Sequence, residues 1–285
     1  MEILEEYVDV DGVRLWTAGQ GSGIPVLLCH GGPGACDNLG PVAAMIDQRA
    51  RVHRFDQRGC GRSDDAPPHT LERGIADIEA LRRHWGYDRW IIGGHSWGAM
   101  LAMAYALEHP QRVWGALLIS SSGIDPIGPE YRANYRRRLT VEDLARLDEL
   151  QELRSRAAPD EMAAIREEMT RIKLMADLSD PATALDLPRY PCRMNFAVNA
   201  ALYADWLRYM AQPGIDVRAV RIGAPAMIVN GEDDPRPADG ARRLAALLPD
   251  AVLELLPGAG HYPWLEHPER LRRALERFMA NIWWK

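Results

Sequence analysis

Cysteine is scarce in this chain, with 4 in 285 residues. Cys29, Cys36, Cys60 and Cys192 form no C-x-x-C pair and have no evident histidine partners. That spacing argues against a zinc site or a disulfide framework and fits a reducing, cytoplasmic compartment. The 8 histidines are scattered rather than gathered with acids into a ligand set, so no metal and no cofactor is expected. Excess positive charge is missing as well. With 34 basic against 40 acidic side chains the net charge is −6, a poor match to nucleic acid, whose phosphates require clustered Lys and Arg. The local run Arg136-Arg137-Arg138 reads as a solvated helix face. The opening MEILEEYVDV carries three Glu within six residues and lacks the basic start and apolar stretch of a signal peptide. Only Trp90–Leu107, 18 residues without Asp, Glu, Lys or Arg, reaches the length of a membrane span. Gly93-Gly94-His95-Ser96-Trp97-Gly98 interrupts it, so it reads as strand, sharp turn and helix at the centre of a soluble fold, with no membrane partner. Internal repeats and low-complexity tracts are absent.

What is present is an ordinary globular composition, 47% hydrophobic and 26% charged. A chain of this length can bury about 75% of its unfolded surface. Glu5–Val10 and Val13–Thr17 read as strands joined at Asp11-Gly12, a hairpin dipeptide. Pro25–Cys29 and Arg89–Ile92 are short apolar runs expected for strands covered on both faces, and Val52–Phe55 is a weaker candidate. Leu71–Trp85 and Trp97–Leu107 have helical character, and Val113–Ser120 gives a further strand. This alternation predicts a mostly parallel sheet with helices on both faces. The pattern lapses between about Asp125 and Val220, where helical spacing takes over; Met162, Ile165, Met169 and Ile172 share one face. Strands resume at Ala226–Asn230 and Ala251–Leu256, with helices at about Ala238–Leu248 and Glu269–Trp283. The expected architecture is an α/β core of residues 1–122 and 221–285 with a helical cap insertion over 123–220.

The chemistry centres on Gly94-His95-Ser96-Trp97-Gly98, a G-x-S-x-G pentapeptide between a buried strand and an apolar helix. Such a turn strains the serine backbone and exposes its hydroxyl, and a Cβ at either glycine would clash with a neighbouring element. A serine hydroxyl is a weak nucleophile until a base takes its proton, and that base needs an orienting acid. Asp234, in Gly231-Glu232-Asp233-Asp234-Pro235, follows the Ala226–Asn230 strand, where doubly wound sheets place their sites. His261, in Gly258-Ala259-Gly260-His261, follows the last strand and completes the chain order Ser, acid, His. His30 and His95 flank the turns and are expected to hold loops together. After the Pro25–Cys29 strand comes His30-Gly31-Gly32-Pro33-Gly34, whose glycines let backbone N–H groups face inward. The N–H groups of Gly32 and Trp97 are the expected oxyanion hole, with each donor worth about 3–4 kcal/mol in such sites.

His30–Gly34 (HGGPG), Asp56–Ser63 (DQRGCGRS) and Gly94–Gly98 (GHSWG) together resemble the proline iminopeptidases and their relatives among the α/β-hydrolases. The resemblance extends over Val26–Met103 and Ala226–Pro268 and is poor across the insertion. It implies an α/β-hydrolase fold and hydrolysis of an ester or amide through an acyl-enzyme, and leaves the substrate open. The Asp56–Ser63 loop is expected to be structural, its Asp and Arg tying it beside the site. Iminopeptidases also bind a free α-amine through carboxylates, because that cation is costly to desolvate unpaired. Here Asp234 is followed by Pro235 and Arg236, a departure from that pattern. Phe196–Trp206 resembles the family's recognition segment, with Asp205 as its one acid and the candidate amine anchor; Glu232 and Asp233 are weaker candidates. Phe196, Tyr203 and Trp206, with Tyr131, Tyr135 and Met169, are candidate lining for an apolar acyl pocket. The expected partner is a small-molecule or short-peptide substrate. The alternatives are a carboxylesterase or lactonase with the same machinery, and a ligand receptor on a hydrolase scaffold.

Overall fold

A computed structural model of the chain describes residues 2–125, 128–158, 161–183 and 194–283. Eight strands form one sheet: β1 (Leu4–Val10), β2 (Val13–Gly21), β3 (Ile24–Cys29), β4 (Ala50–Phe55), β5 (Trp90–His95), β6 (Val113–Ile119), β7 (Ala226–Gly231) and β8 (Ala251–Leu256). Their order is β1-β2-β4-β3-β5-β6-β7-β8. The first two pairings are antiparallel and every later one is parallel. Asp11 and Gly12 take φ of 55° and 80°, the positive values that a two-residue hairpin loop needs to match the strand twist.

The parallel strands alternate their side chains between two apolar layers. Leu27, Ile92 and Leu118 face one, with α2 (Leu71–His84) and α3 (Trp97–Glu108). Val26, Leu28, Ile91 and Leu117 face the other. That side is covered by α1 (Gly40–Ala43) and, from the C-terminal part, by α10 (Pro263–Glu266) and α11 (Pro268–Trp283). Coverage on both faces is why these strands read as continuous apolar runs. Helix α3 is buried from Trp97 to Leu107, which accounts for the apolar stretch at Trp90–Leu107. No helix among the described residues is long and apolar enough to cross a membrane. Helix α1 has no counterpart in the sequence reading, since four residues are too few for a periodic signal.

Between β6 and β7 lie α4 (Pro129–Arg137), α5 (Val141–Arg154), α6 (Met162–Asp177), α7 (Phe196–Met210) and α8 (Ile215–Ala219). They divide by what they pack on. Leu139, Leu150, Met169, Ile172 and Ala176 make a small core of their own, with Ile165 packed against it. Val198, Leu202 and Trp206, at i, i+4 and i+8 along α7, join the main core instead. Helix α9 (Asp239–Leu247) connects β7 to β8, the last strand before the C-terminal helices. Because β3 to β8 run parallel, the loops beginning at His30, Asp56, Ser96, Ser120, Glu232 and Pro257 all emerge from one edge of the sheet, and the candidate site lies there.

Candidate active site

The turn from β5 to α3 is one residue long. Ser96 adopts φ 55° and ψ −119°, a conformation that costs a non-glycine residue on the order of 1–3 kcal/mol. Its neighbours hold it there: Ser96 N–H donates to Ile119 O (2.9 Å), and its carbonyl accepts from Ala99 N and Met100 N. A Cβ on Gly98 would overlap the Cys29 carbonyl, and one on Gly94 would lie 2.6 Å from the same oxygen. Only glycine lets the elbow approach β3 this closely. The Ser96 side chain is half-buried at the head of the turn.

The loops after β7 and β8 bring a carboxylate and an imidazole together. The turn after β7 folds onto the loop after β8 through Glu232 N–Leu256 O (3.0 Å) and Asp233 N–Ala259 O (2.9 Å). His261 Nδ1 then donates to Asp234 Oδ2 at 2.5 Å, with both side chains buried. Fixing Nδ1 as the donor leaves Nε2 as the basic nitrogen of the ring. Burial opposes the negative charge on Asp234, but His261, Arg236 and the hydrogen bonds from both outweigh it and hold the carboxyl well below its ordinary value. His95, next to Ser96, donates through Nε2 to His261 O (2.8 Å), and the two rings lie 4.7 Å apart between centroids. Burial holds His95 neutral. The bond ties the imidazole loop to the serine turn.

The loop after β3 closes the other side. A Cβ on Gly31 would lie 2.9 Å from His95 Nδ1 and 3.4 Å from Ser96 Cβ, so this loop runs directly against the elbow. His30 Nδ1 donates to Gly31 O (2.7 Å), and its Nε2 accepts from Gln57 N (3.0 Å). That assignment requires a neutral ring, in keeping with the burial that lowers its pKa. Gln57 Nε2 donates to His30 O, and Gln57 Oε1 accepts from Trp97 Nε1 at 2.9 Å. Neither the Gly32 N–H nor the Trp97 N–H donates to another described residue. An oxyanion requires backbone amides without another acceptor. Asp56 accepts from Asp37 N and from Arg62 N and Nε, locking the Asp56–Ser63 loop to the loop that follows β3.

The recognition candidates are distributed differently. Trp206 is buried with its ring 6.2 Å from that of Trp97, edge to face, so it backs the elbow. Asp205 Oδ2 accepts from Leu71 N (2.6 Å) and Oδ1 from Arg208 Nη2 (2.8 Å). It caps the N-terminus of α2 from the insertion. Phe196 lies on the outer side of α7, under the guanidinium groups of Arg154 and Arg166, and Tyr203 is likewise exposed. Tyr131 lies under Arg236, 4.8 Å from ring centroid to guanidinium carbon. Cys192 falls outside the described residues, while Cys29, Cys36 and Cys60 are buried free thiols.

Several residues at the site carry no motif. Asn195 N–H donates to Gly34 O (2.7 Å), and Asn199 Nδ2 to Pro33 O (2.8 Å), so α7 grips the loop after β3. Asp177 O accepts from His261 N (2.7 Å). Glu266 accepts from Ser179 N and Gly260 N, and Asp233 from Ser179 Oγ. Each is an ordinary polar residue on a helix or loop, and only the tertiary fold brings it here.

Residues 24–268 match the family model described as the alpha/beta hydrolase fold, and the chain belongs to that family, in its proline iminopeptidase-like branch. A probable proline iminopeptidase of Leptolyngbya boryana is 30% identical over 86% of this chain and 83% of its own length. A putative proline iminopeptidase of Mycoplasma pneumoniae is 41% identical over 104 residues, 35% of this chain and 34% of that protein. The chain thus matches about a third of the length of that relative. Among solved structures, a thermophilic esterase from Thermogutta terrifontis superposes with a TM-score of 0.72 at 22% identity, covering 99% of both chains, which is a likeness of fold.

Proposed function

We propose that the protein is a cytoplasmic serine hydrolase that cleaves an ester or amide bond of a small, largely apolar substrate through an acyl-enzyme. Ser96 Oγ attacks the carbonyl carbon while His261 Nε2 takes the hydroxyl proton, and His261 returns that proton to the leaving group as the carbonyl re-forms. Water then repeats the sequence on the acyl-enzyme, with the same imidazole as base. Asp234 orients His261 and offsets the charge the imidazole gains in each transition state. The N–H groups of Gly32 and Trp97 receive the oxyanion. Helices α4, α6 and α7 reach the loops around the site through Tyr131–Arg236, Asp177–His261 and Asn199–Pro33. The observation that carries this proposal is the buried 2.5 Å Asp234–His261 bond, held by His95 against the strained Ser96 turn.

Two substrate classes remain. Kinship favours an iminopeptidase, which must seat a free α-ammonium. Two carboxylates favour an esterase or lactonase, because Asp177 and Asp205 are already paired with Arg236 and Arg208; Asp233 and Glu266 accept from a hydroxyl and from backbone N–H groups. An ammonium entering beside Asp177 or Asp205 would meet a charge already paired with a guanidinium, which leaves Asp233 and Glu266 as the carboxylates an iminopeptidase would have to use. Parallel assays on proline-naphthylamide and p-nitrophenyl acetate separate the two. Fast ester cleavage with no turnover of any amino-acid amide removes the peptidase. A folded protein whose Ser96 does not react with a fluorophosphonate removes the hydrolase and leaves the receptor.

A further inference from the structure

Arg236 stands two residues beyond the acid, and its surroundings form a closed ring of four residues. His261 N–H donates to Asp177 O (2.7 Å), and His261 Nδ1–H to Asp234 Oδ2 (2.5 Å). Arg236 Nη1 donates to Asp234 Oδ1 (3.2 Å) and to Asp177 Oδ1 (2.7 Å), which returns to the start. The Arg236 backbone N–H adds a second bond to Asp234 Oδ1 (2.9 Å). Both carboxylate oxygens of Asp234 are therefore engaged, Oδ2 by the imidazole and Oδ1 by the arginine, and the group cannot rotate without breaking one set. The arginine is 15% exposed at its side chain, with Asp177 at 12% and Asp234 at 1%.

Asp177 needs an explanation of its own. It is the last residue of α6, where the helix dipole disfavours an acid. Arg236 supplies the cation that makes a buried carboxylate tolerable there. The arrangement joins the insertion to the catalytic loops through charge as well as through packing, since Arg236 also stacks on Tyr131 of α4.

Resting on the serine hydrolase proposal above, we infer that Arg236 is a positioning residue. It fixes the rotamer of Asp234, links it to Asp177 of the insertion, and sets the balance of charge felt by the His261 imidazole. The groups facing this imidazole are Asp234, the rings of His95 and Tyr262, and the Asp177 backbone; Tyr131 and Tyr135 border the Arg236–Asp177 pair. Of these, Asp177 and Arg236 have opposite charges and must act on the imidazolium with opposite sign.

The test uses the full chain, p-nitrophenyl acetate as substrate, and the variants Arg236→Met, Arg236→Lys and Asp177→Asn. Arg236→Met loses a charge-assisted bond to Asp234, so kcat falls by about 10–100-fold, with KM changed far less. Removing the cation favours the imidazolium, so the acid limb of the kcat/KM profile moves to higher pH. Asp177→Asn removes an anion, and the same limb moves to lower pH. Arg236→Lys restores the limb while recovering only part of kcat, because an ammonium lacks the planar fork. A role confined to packing would not produce shifts of opposite sign. A folded Arg236→Met variant with unchanged kcat and limb overturns the inference, as do limbs that move in the same direction. Should Arg236→Met fail to fold, Asp177→Asn decides alone: a downward limb supports the ring and a stationary one overturns it. A wild-type protein that resists fluorophosphonate overturns the hydrolase proposal and this inference with it. A labelled wild type with unshifted variants overturns only the inference.

Discussion

At the residue scale the protein concentrates strain and polarity at one point. Ser96 occupies φ 55° because glycines at 94 and 98 let β3 and α3 close around it. A Ser96→Ala variant should lower kcat by about 10⁴–10⁶-fold while preserving the fold, as read by far-UV circular dichroism. Glycine carries no penalty at this φ, so Ser96→Gly should be the more stable of the two inactive proteins. A difference of roughly 1 kcal/mol corresponds to a Tm higher by about 2 °C in differential scanning calorimetry. An equal or lower Tm would show that the turn is unstrained. The strained turn at Ser96 and the pairing of Asp234 with His261 were foreseeable from residue type and chain order. Gln57 was not, although it bonds both His30 and Trp97, because a glutamine has no chemistry of its own that would single it out.

At the element scale, α7 does two jobs that its sequence does not distinguish. Its inward stripe of Val198, Leu202 and Trp206 enters the main core, which periodicity can reveal. Its polar residues grip two separate pieces of the core: Asn199 holds Pro33 O, and Asp205 caps Leu71 N. Asp205→Ala should cost about 1 kcal/mol, the usual worth of an N-cap, seen as a Tm lower by about 2 °C. The ratio of kcat/KM for proline-naphthylamide to that for p-nitrophenyl acetate should stay within about twofold. A selective loss on the amide of tenfold or more would make Asp205 the amine anchor that the family resemblance suggests. A capping acid and an ammonium-binding acid look the same in sequence, since each is a carboxylate on a helix; their hydrogen-bond partners distinguish them.

At the scale of the whole molecule, buried charge links stability to pH. Glu79 of α2 is paired with Arg82 (2.6 Å) and with the Tyr105 hydroxyl of α3 (2.8 Å). Burial opposes its charge, but these bonds outweigh it and bring its pKa from 4.5 down to about 2. The folded value lies below the ordinary one, so the stabilisation is fully present above pH 4.5 and is lost as pH falls toward about 2. Glu79→Gln should cost about 1–3 kcal/mol in urea unfolding at pH 7, with the gap to wild type narrowing steadily below pH 4.5. A gap that does not change with pH would mean that the carboxylate is not the stabilising form. Sequence by itself determined the strand–helix alternation, the two-faced sheet and the order of serine, acid and histidine, because periodicity and chain order are one-dimensional properties. The tertiary structure decided which carboxylates are already engaged, how the helices between β6 and β7 hold the loops after β3 and β8, and that Arg236 closes a ring with Asp177. Those contacts span separations such as 59, 134 and 166 positions, and a hydrogen bond between ordinary polar side chains so far apart leaves no local pattern to read.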